Sequence, residues 1–319
     1  MPKQRVIATA PGKINVYFRV GPPREDGYHE VASLYVAVSL LEQIEATLRH
    51  DSELQLSLEP GSTVVSDPEN FPLGEANLVH KAAQLLREHT GCTLGANLHI
   101  TKRVPIAGGM GGGSADAAAA LVACNELWQT GLDREELGRL GARLGADVPF
   151  ALMGGAAIGL GVGDQLAPLL TRAKTHWVLI PASYGLSTPR VYAMLDRLRA
   201  GQELEVPQEV DPEVIKALME SDAQALSQVL INDLTQASLA LAPELGTVRD
   251  LAEGAGALRA MVSGSGPTLA LLVEDAEHAE QVMAQLGDEV GVATLAVSAP
   301  APGARVVLSE DLDSAEDSR

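Results

Sequence analysis

The first part of the chain alternates apolar and polar residues in the way that β-strands do. β-branched and aromatic residues, which favour extended backbone, are concentrated in RVIATAP, INVYFRV and VASLYVAVSL. Between the last two of these segments lies PPREDGYHE, whose prolines and Asp-Gly pair are typical of a turn. The pattern predicts a β-hairpin, with further strands in LEQIEATLRH and SELQLSLEP.

Helices and strands then alternate through the rest of the first half. An amphipathic pattern in NLVHKAAQLLREHTG predicts a helix that ends at Gly91. A strand in GANLHITKRVP is predicted to end at Pro105, and a glycine run separates it from a helix in ADAAAALVACNELWQTG. The last predicted elements of this half are a helix in DREELGRLGARLG and glycine-broken strands in FALMGGAAIGLGVGDQLAPL.

The second half repeats this mixture of strands and helices. Interleaving of this kind indicates an α+β protein, which we divide into domains 1–170 and 171–300. Residues 301–319 are strongly charged and are predicted to form a disordered acidic tail. The predicted elements are a strand in THWVLIPAS, a helix in STPRVYAMLDRLRAG, a polar loop at 202–212, helices up to Leu241, two strands in GALRAMVSGSGPTLALLVED, a helix in AEHAEQVMAQLG and a strand in GVATLAVSA.

The composition excludes some classes of function. With 319 residues, of which 46% are hydrophobic, the chain is long enough to bury a core in each domain. Its net charge of −19 opposes binding to nucleic acid or to an anionic membrane, because such binding depends on Lys and Arg. A phosphorylated small molecule is compatible with this charge, since a glycine loop and one or two cations can hold phosphate locally.

Signals for targeting and for metal binding are weak. Cys92 and Cys124 lack metal-ligand spacing, so we expect reduced thiols, no zinc site and no disulfide. The N-terminus has no apolar signal-peptide core, and no window reaches the roughly 18 apolar residues of a membrane-spanning helix. These features predict a cytoplasmic protein without membrane contact, and they do not indicate an oligomeric state.

The most distinctive motif is VPIAGGMGGGSADAAAA, at residues 104–120. Glycines without Cβ atoms let backbone N–H groups approach a ligand, and the following helix start adds unpaired donors. Phosphate is the natural ligand, and the alternative is a turn that only permits close packing. The P-loop pattern fails because no Lys-Ser/Thr pair follows, and the dinucleotide pattern fails because its third glycine would fall on Ser114.

Two polar residues follow these glycines. Ser114 lies where the helix is predicted to begin, so it either caps the helix or turns its hydroxyl toward a phosphate or a metal ion. Asp116 suits the helix dipole but would repel an adjacent phosphate, so we expect its side chain to point outward.

Three ordered motifs resemble those of the kinase superfamily named for galactokinase, homoserine kinase, mevalonate kinase and phosphomevalonate kinase. They are APGKINVYFRVGPPREDGYHEVASLY, PIAGGMGGGSADAAAA and MVSGSGPTLALLV. Within this superfamily, DGYHE, LGADVPF and INDL are similar to the 4-diphosphocytidyl-2-C-methyl-D-erythritol kinases of the non-mevalonate isoprenoid pathway. One departure is Gly12, where the family more often has alanine.

The resemblance implies a fold and a reaction. The fold would combine an N-terminal ribosomal-protein-S5-like domain and a C-terminal ferredoxin-like α/β domain, with the active site in the cleft between them. The reaction would transfer the γ-phosphoryl group of ATP to the 2-hydroxyl of 4-diphosphocytidyl-2-C-methyl-D-erythritol, giving the 2-phosphate and ADP. Mg²⁺ is expected to arrive with ATP, held by phosphates and water, with Ser114 as a candidate protein ligand.

The resemblance also implies which residues perform the chemistry. Lys13 in GKIN and Asp147 in GADVP would form the catalytic pair. Asp147 can accept the hydroxyl proton, while Lys13 can keep it ionised and stabilise the transferring oxygens. Without the resemblance, Asp147 would be an ordinary turn residue and Lys13 a solvated lysine. The ATP-phosphate loop would comprise Pro105, Ile106, Ala107, Gly108, Gly109, Met110, Gly111, Gly112, Gly113, Ser114 and Ala115.

On the substrate side the resemblance implies Asn15, Tyr28 and His29, where the family binds the cytidine. Tyr28 can stack on a cytosine and His29 can pair with its edge; the alternative is that both form a half-buried hairpin end. Tyr184 in PASYGLSTP is a candidate for a second stacking face. Gly264 in the third motif is expected to shape the cleft.

Two rival functions stay open at this point. One is another small-molecule kinase of the superfamily, of the homoserine or mevalonate type, and DGYHE argues against it. The other is a non-catalytic nucleotide-binding protein, and the presence of both Lys13 and Asp147 argues against that.

Overall fold

Two β-sheets organise the part of the chain that the computed structural model describes, which is residues 2–64, 67–287, 291 and 293–311. The larger sheet has eight strands and the smaller has four. The strands are β1 (Lys3–Pro23), β2 (His29–Arg49), β3 (Leu54–Leu58), β4 (Gly95–Thr101), β5 (Ala156–Leu160), β6 (Gln165–Leu169), β7 (Thr175–Ile180), β8 (Ile231–Asn232), β9 (Arg259–Val262), β10 (Leu269–Val273), β11 (Leu295–Ala299) and β12 (Arg305–Asp311).

Ten α-helices and one short 3₁₀-helix, Pro68–Asn70, connect these strands within the described residues. The α-helices are α1 (Leu78–Thr90), α2 (Gly112–Trp128), α3 (Arg134–Ala142), α4 (Val148–Met153), α5 (Thr188–Leu198), α6 (Pro212–Met219), α7 (Ala223–Val229), α8 (Thr235–Leu241), α9 (Glu244–Gly254) and α10 (Ala276–Leu286). Among the described residues, no helix is both long enough and apolar enough to cross a membrane.

The hairpin predicted at the N-terminus is confirmed. Strands β1 and β2 pair antiparallel, and Pro23 lies opposite His29 on the two sides of the turn. Each strand is 21 residues long, which is longer than the sequence pattern suggests. Shifts in the β1–β2 register flank Lys13, between Pro11 and Lys13 and again after Asn15. Such irregularities bend a strand without ending it and change the direction of nearby side chains.

The larger sheet buries one face under an alanine-rich helix. Its strand order is β12-β1-β2-β4-β3, while β5 pairs with β2 and β6, and β8 pairs with β1. Helix α2 packs against β1 and β2, and its residues from Ala117 to Ala120 are completely buried. Small side chains let the helix lie close to the sheet, which explains the run of alanines after the glycine loop.

The predicted helix end at Gly91 is confirmed, and side-chain caps begin both α1 and α3. The Asn77 side chain accepts a hydrogen bond of 2.8 Å from Val79 N at the start of α1, and Gly91 ends this helix with a φ of 71°. A capping box formed by Asp133 and Glu136 begins α3.

The prediction of strands after residue 149 is wrong for its first part. Val148–Met153 forms α4, because Pro149 suits the first turn of a helix and Gly154, with a φ of 66°, ends it. Strands β5 and β6 follow as predicted. Strand β4 also ends earlier than expected, at Thr101 rather than at Pro105.

The smaller sheet has the strand order β11-β7-β10-β9, and all of its pairings are antiparallel. This order, with crossover helices between the strands, is that of a ferredoxin-like domain, as the resemblance implied. One apolar core includes Ile14 and Leu34 from the larger sheet together with Trp177 and Leu272 from the smaller one. The two sheets therefore pack directly against each other and leave a cleft beside this core.

The predicted tail beyond residue 300 is partly wrong. Arg305–Asp311 forms β12, which pairs antiparallel with β1 at the edge of the larger sheet. Val306 packs against the core of the first domain, so the short apolar run at 306–308 supports a strand in spite of the charge that follows it. Residues 312–319 lie outside the described residues.

Candidate active site

Lys13 and Asp147, the predicted catalytic pair, line one cavity of about 480 Å³ to which both domains contribute. Lys13 Nζ lies 3.9 Å from Asp147 Oδ2. Lys13 is buried, with only 8% of its surface exposed, whereas a third of the Asp147 side chain faces solvent. The fold therefore joins an ammonium on β1 with a carboxylate that immediately precedes α4.

A hydrogen-bonded chain orients the Lys13 ammonium. Lys13 Nζ donates to Asn15 Oδ1 at 2.7 Å, and Asn15 Nδ2 donates to Ser33 Oγ at 2.7 Å. Ser33 Oγ donates in turn to the carbonyl oxygen of Tyr17 at 3.2 Å. Asn15, which the sequence placed on the substrate side, lines the cavity and also holds the ammonium in place.

Burial of Lys13 strengthens the attraction of its ammonium for an anion. Burial lowers the pKa of the Lys13 ammonium, and the Asp147 carboxylate opposes this change. The cause is desolvation, which disfavours the charged form of a lysine. A desolvated ammonium interacts more strongly with an incoming phosphate oxygen than a hydrated one does, because the local dielectric is lower.

The glycine loop lies against this pair. Lys13 N donates to Met110 O at 2.9 Å, which ties β1 to the loop. Gly109 and Gly111 have φ values of 78° and 70°, in the left-handed region. A Cβ atom on Gly109 would lie 1.9 Å from the carbonyl oxygen of Ser263, and one on Gly111 would lie 3.6 Å from Asp147 Oδ2. Because these residues are glycines, the loop backbone can lie close to the third motif and to the Lys13–Asp147 pair.

The structure answers the question about Ser114. Helix α2 begins at Gly112, Gly111 occupies the N-cap position, and no side chain makes a capping bond. Ser114 is therefore inside the first turn and is not the cap. It is half-buried and follows the loop, where a hydroxyl can face a phosphate or its metal ion.

The expectation that Asp116 points outward is wrong. Asp116 is 6% exposed, and its Oδ2 accepts a hydrogen bond of 2.6 Å from Lys102 Nζ. The same ammonium donates to Glu42 Oε1, and Glu42 Oε2 accepts from Arg103 N at 2.9 Å. One lysine and two carboxylates therefore form a buried cluster beneath the glycine loop.

Burial also determines the protonation of this cluster. Desolvation raises the pKa of Glu42 to about 8, with Asp116 adding to the rise and Lys102 opposing it. Desolvation likewise raises the pKa of Asp116, and Lys102 opposes that rise. Since one ammonium cannot compensate two buried carboxylates, the Glu42–Asp116 pair retains a proton.

The third motif completes the cavity wall, as expected for Gly264. A Cβ atom on Gly264 would lie 2.8 Å from the carbonyl oxygen of Gly109 and 3.2 Å from Lys13 Nζ. Ser265 lines the cavity too, and its hydroxyl is 2.9 Å from Thr188 Oγ1.

His29 lies beside the cavity in a group of side chains that the sequence did not reveal. Its Nε2 is 2.8 Å from Asp196 Oδ1, and its ring centroid is 4.9 Å from that of Tyr192. Tyr192 itself lines the cavity with Lys13. Tyr28, by contrast, is 65% exposed and borders a neighbouring crevice.

Tyr184 lies apart from the catalytic pair. It lines a second cavity of about 610 Å³, together with Phe71 and the start of the glycine loop at Pro105 and Ile106. The structure therefore places Tyr184 beside the loop face that does not carry Lys13, whereas Tyr192 on α5 lines the cavity of the Lys13–Asp147 pair.

Sequence reasoning missed Tyr192 and Asp196. These residues are four positions apart in the amphipathic helix α5, so they share one helix face, and this spacing was the available signal. An aromatic residue at helical spacing is usually a core residue, however, which concealed its position at the cavity. Within the described parts of the chain, no group of three or more His, Cys, Asp or Glu residues could hold a metal ion.

Comparison with protein families gives two matches. The model described as GHMP kinases N terminal domain matches residues 77–155, and the model described as GHMP kinases C terminal matches residues 214–293. The first range contains the glycine loop and Asp147, and the second contains the third motif.

Curated proteins with similar sequences carry one name. A 4-diphosphocytidyl-2-C-methyl-D-erythritol kinase from Pseudarthrobacter chlorophenolicus is 53% identical over 304 residues, covering 95% of each chain. Proteins of the same name from Thermobifida fusca and Mycolicibacterium smegmatis are 44% and 45% identical over 95% of this chain, and these alignments cover 98% and 92% of the relatives.

Solved structures agree on the fold. A 4-(cytidine 5'-diphospho)-2C-methyl-D-erythritol kinase matches with a TM-score of 0.75 at 29% identity, over 92% of this chain and 99% of that one. A homoserine kinase from Cytophaga hutchinsonii matches with a TM-score of 0.71 at 20% identity, over 96% of this chain and 98% of its own. At this lower identity the match supports only the shared fold.

Proposed function

The chain belongs to the 4-diphosphocytidyl-2-C-methyl-D-erythritol kinases, a family of GHMP kinases, and from this premise we propose how its residues perform the reaction. The enzyme transfers the γ-phosphoryl group of ATP to the 2-hydroxyl of 4-diphosphocytidyl-2-C-methyl-D-erythritol, giving the 2-phosphate and ADP. The observation that carries the mechanism is the Lys13–Asp147 pair, 3.9 Å apart beside the glycine loop.

Asp147 acts as the base. Its partly exposed carboxylate faces the cavity and can accept the proton of the attacking hydroxyl. As that proton leaves, the alkoxide character of the 2-oxygen grows and the oxygen attacks the γ-phosphorus. The bond between this phosphorus and the β,γ-bridging oxygen breaks, and ADP leaves.

Lys13 stabilises the charge that develops on the transferring group. Its ammonium is desolvated, is held by Asn15 and lies close to the backbone of Gly264. Such a fixed cation needs little reorganisation during the reaction, which is the main source of electrostatic catalysis.

The glycine loop binds the ATP phosphates. Its backbone N–H groups and the N-terminus of α2 supply donors that the acidic surface of the protein does not. Mg²⁺ bound with ATP would be held by the phosphates and water, with the Ser114 hydroxyl next to the loop as the available protein ligand, and it would neutralise phosphate charge. The largely apolar cavity lined by Tyr184 and Ile106 adjoins the same loop and suits the nucleoside end of ATP.

The cytidine of the acceptor binds at the opposite end of the catalytic cavity. The Tyr192 ring offers a stacking face there, and Asp196 orients the His29 imidazole beside it. Tyr28 on the exposed hairpin turn can cover the other face of the base. This arrangement assigns Tyr192, rather than Tyr184, to the cytidine.

The free thiols of Cys92 and Cys124 support a cytoplasmic location.

A substrate panel tests the proposal. ADP release is measured with Mg·ATP and, separately, the cytidyl substrate, homoserine and mevalonate. We expect turnover with the cytidyl substrate and background rates with the others. Preference for homoserine or mevalonate would contradict the proposed acceptor, and ATP binding without turnover on any alcohol would favour a non-catalytic nucleotide-binding protein.

A further inference from the structure

The INDL segment, residues 231–234, has no part in the chemistry described above, although it lies close to it. Ile231 and Asn232 form β8, which pairs in parallel with β1 at Tyr17 and Phe18. Asp233 N then donates to the carbonyl oxygen of Phe18 at 2.9 Å. The segment is therefore attached to the same strand that carries Lys13.

The Asn232 side chain connects this strand to the third motif. It is 8% exposed, and its Nδ2 donates to the carbonyl oxygens of Val262 and Gly264, each at 2.7 Å. Its Oδ1 accepts a hydrogen bond of 2.9 Å from Leu234 N. A neutral amide has both the two donors and the acceptor that these three bonds require, whereas a carboxylate has no donor.

The atoms that Asn232 holds are in contact with the catalytic machinery. A Cβ atom on Gly264 would come within 2.8 Å of Gly109 O and 3.2 Å of Lys13 Nζ. Next to Gly264, Ser263 Oγ donates to Gly109 O at 3.3 Å. The third motif is therefore packed against both the glycine loop and the ammonium, so that a shift of the Gly264 backbone moves its neighbours.

We propose that Asn232 is a positioning residue for phosphoryl transfer, because it holds the Val262 and Gly264 carbonyls and thereby sets the third motif against Gly109 and Lys13. This inference rests on the proposed function for its kinetic readout. In this proposal the INDL segment keeps the glycine loop aligned with β1, the strand that carries Lys13. Small displacements of this kind reduce the rate strongly, since the reacting groups must meet in a narrow geometry.

The test replaces the amide by a carboxylate of the same shape, Asn232→Asp. One carboxylate oxygen then takes the place of Nδ2 and faces the Val262 and Gly264 carbonyl oxygens without a proton between them. The matched control is Asn125→Asp, since Asn125 Nδ2 donates to Leu132 O at 3.0 Å and its Oδ1 accepts from Leu132 N at 3.0 Å. Asn125 lies about 20 Å further along α2 than the start of that helix, given 1.5 Å per residue.

We measure kcat, the KM for ATP, the Kd for ATP and the melting temperature of both variants. Asn232→Asp is expected to lower kcat by about tenfold or more and to raise the KM for ATP at temperatures where the protein is folded. The ratio of its kcat to that of the wild type should recover in part toward acid pH, because the introduced carboxyl group, once protonated, can again donate to one carbonyl. Asn125→Asp should lower the melting temperature and leave kcat within about twofold.

A second variant, Asn232→Ser, covers the case in which Asn232→Asp does not fold, because serine removes the amide without adding charge. Either folded variant with wild-type kcat and wild-type KM for ATP would overturn the inference, as would an equal loss of kcat in Asn125→Asp. If the wild type itself releases no ADP, the proposed function fails. The Kd for ATP then still decides the inference, which requires weaker ATP binding in the Asn232 variants alone.

Discussion

Lys102 donates a hydrogen bond of 2.6 Å to Asp116, the fifth residue of α2, and this contact closes the glycine loop at its base. Lys102 directly follows β4, so the two residues lie on either side of the loop. Both are buried, and the lysine is shared with Glu42 of β2. The two ends of the glycine loop are thus joined by a buried cluster, and the charge balance of this cluster makes the loop sensitive to substitution and to pH.

Substitution of this lysine should strongly destabilise the fold. Lys102→Met leaves the charge of the Glu42–Asp116 pair buried without a cation, and we expect the free energy of unfolding to fall by about 3–5 kcal/mol. Arg139→Met is the control, because Arg139 pairs with Glu135 in the open, where such pairs contribute less than about 1 kcal/mol. Urea denaturation measures both. Equal losses in the two variants would show that the buried cluster is not a source of stability.

The pH dependence of stability should follow from Glu42. Its folded pKa of about 8 lies above the usual 4.5, so the fold favours the protonated form. The resulting stabilisation is fully present below the unfolded pKa and is lost as the pH rises through the folded pKa. At about 1.4 kcal/mol per pKa unit, the loss amounts to a few kcal/mol.

Glu42→Gln should remove this decline, because glutamine does not ionise. We expect the free energy of unfolding of the variant, minus that of the wild type, to increase as the pH is raised from about 5 to about 9. The exposed Glu135 provides the control Glu135→Gln, whose curve should run parallel to the wild-type curve. A Glu42→Gln curve that also stays parallel would contradict the retained proton.

Replacement of the proposed base should abolish turnover without abolishing nucleotide binding. Asp147→Asn removes the proton acceptor while keeping the shape of the side chain, and we expect kcat to fall by about 10²–10⁴-fold. The Kd for ATP, measured by calorimetry, should change little because the loop donors are untouched. Turnover near the wild-type rate would exclude Asp147 as the base.

Two glycines with similar backbone angles should respond differently to alanine. Gly109 and Gly131 have φ values of 78° and 74°, but only Gly109 would place its new Cβ against another atom, 1.9 Å from Ser263 O. Gly131→Ala should lower stability by about 1–2 kcal/mol through backbone strain and leave the KM for ATP unchanged. Gly109→Ala should in addition raise that KM, since the loop must move. Steady-state kinetics with ATP as the varied substrate measures the KM of both variants; an unchanged KM in Gly109→Ala would contradict the prediction.

The two aromatic residues near the loop should affect different substrates. Tyr192→Leu should raise the KM for the cytidyl substrate, because base stacking on an aromatic face contributes about 1–3 kcal/mol. Tyr184→Leu should instead raise the KM for ATP, since Tyr184 lines the other cavity. Each variant is the control for the other in the same assay. The reverse pattern would exchange the two assigned sites.

Much of the site can be predicted from short stretches of sequence. Gly109 and Gly111 need backbone angles that only glycine adopts easily, and the hairpin turn before His29 carries prolines and an Asp-Gly pair. These requirements are local, so they can be recognised from a few consecutive residues. The first of the three ordered motifs also indicated Lys13, and the LGADVPF segment indicated Asp147, which the fold brings within 3.9 Å of Lys13.

Other parts of the site depend on residues far apart in the chain. Asp116 was expected to face solvent, but Lys102, which follows β4, pairs both with it and with Glu42 of β2. Tyr192 and Tyr184 are both aromatic residues near helix α5, and only the packing of the two domains assigns them to different cavities.

The sequence by itself indicated most of the elements, the glycine loop and the residues proposed as the catalytic pair, because turns, glycine angles and motif order are properties of neighbouring residues. Tertiary structure alone decided that β12 returns to β1, that Asp116 is buried and that Asn232 holds the third motif. Each of these depends on which distant groups can satisfy a buried charge, an unpaired strand edge or a carbonyl oxygen. Those partners are selected only when the whole chain packs.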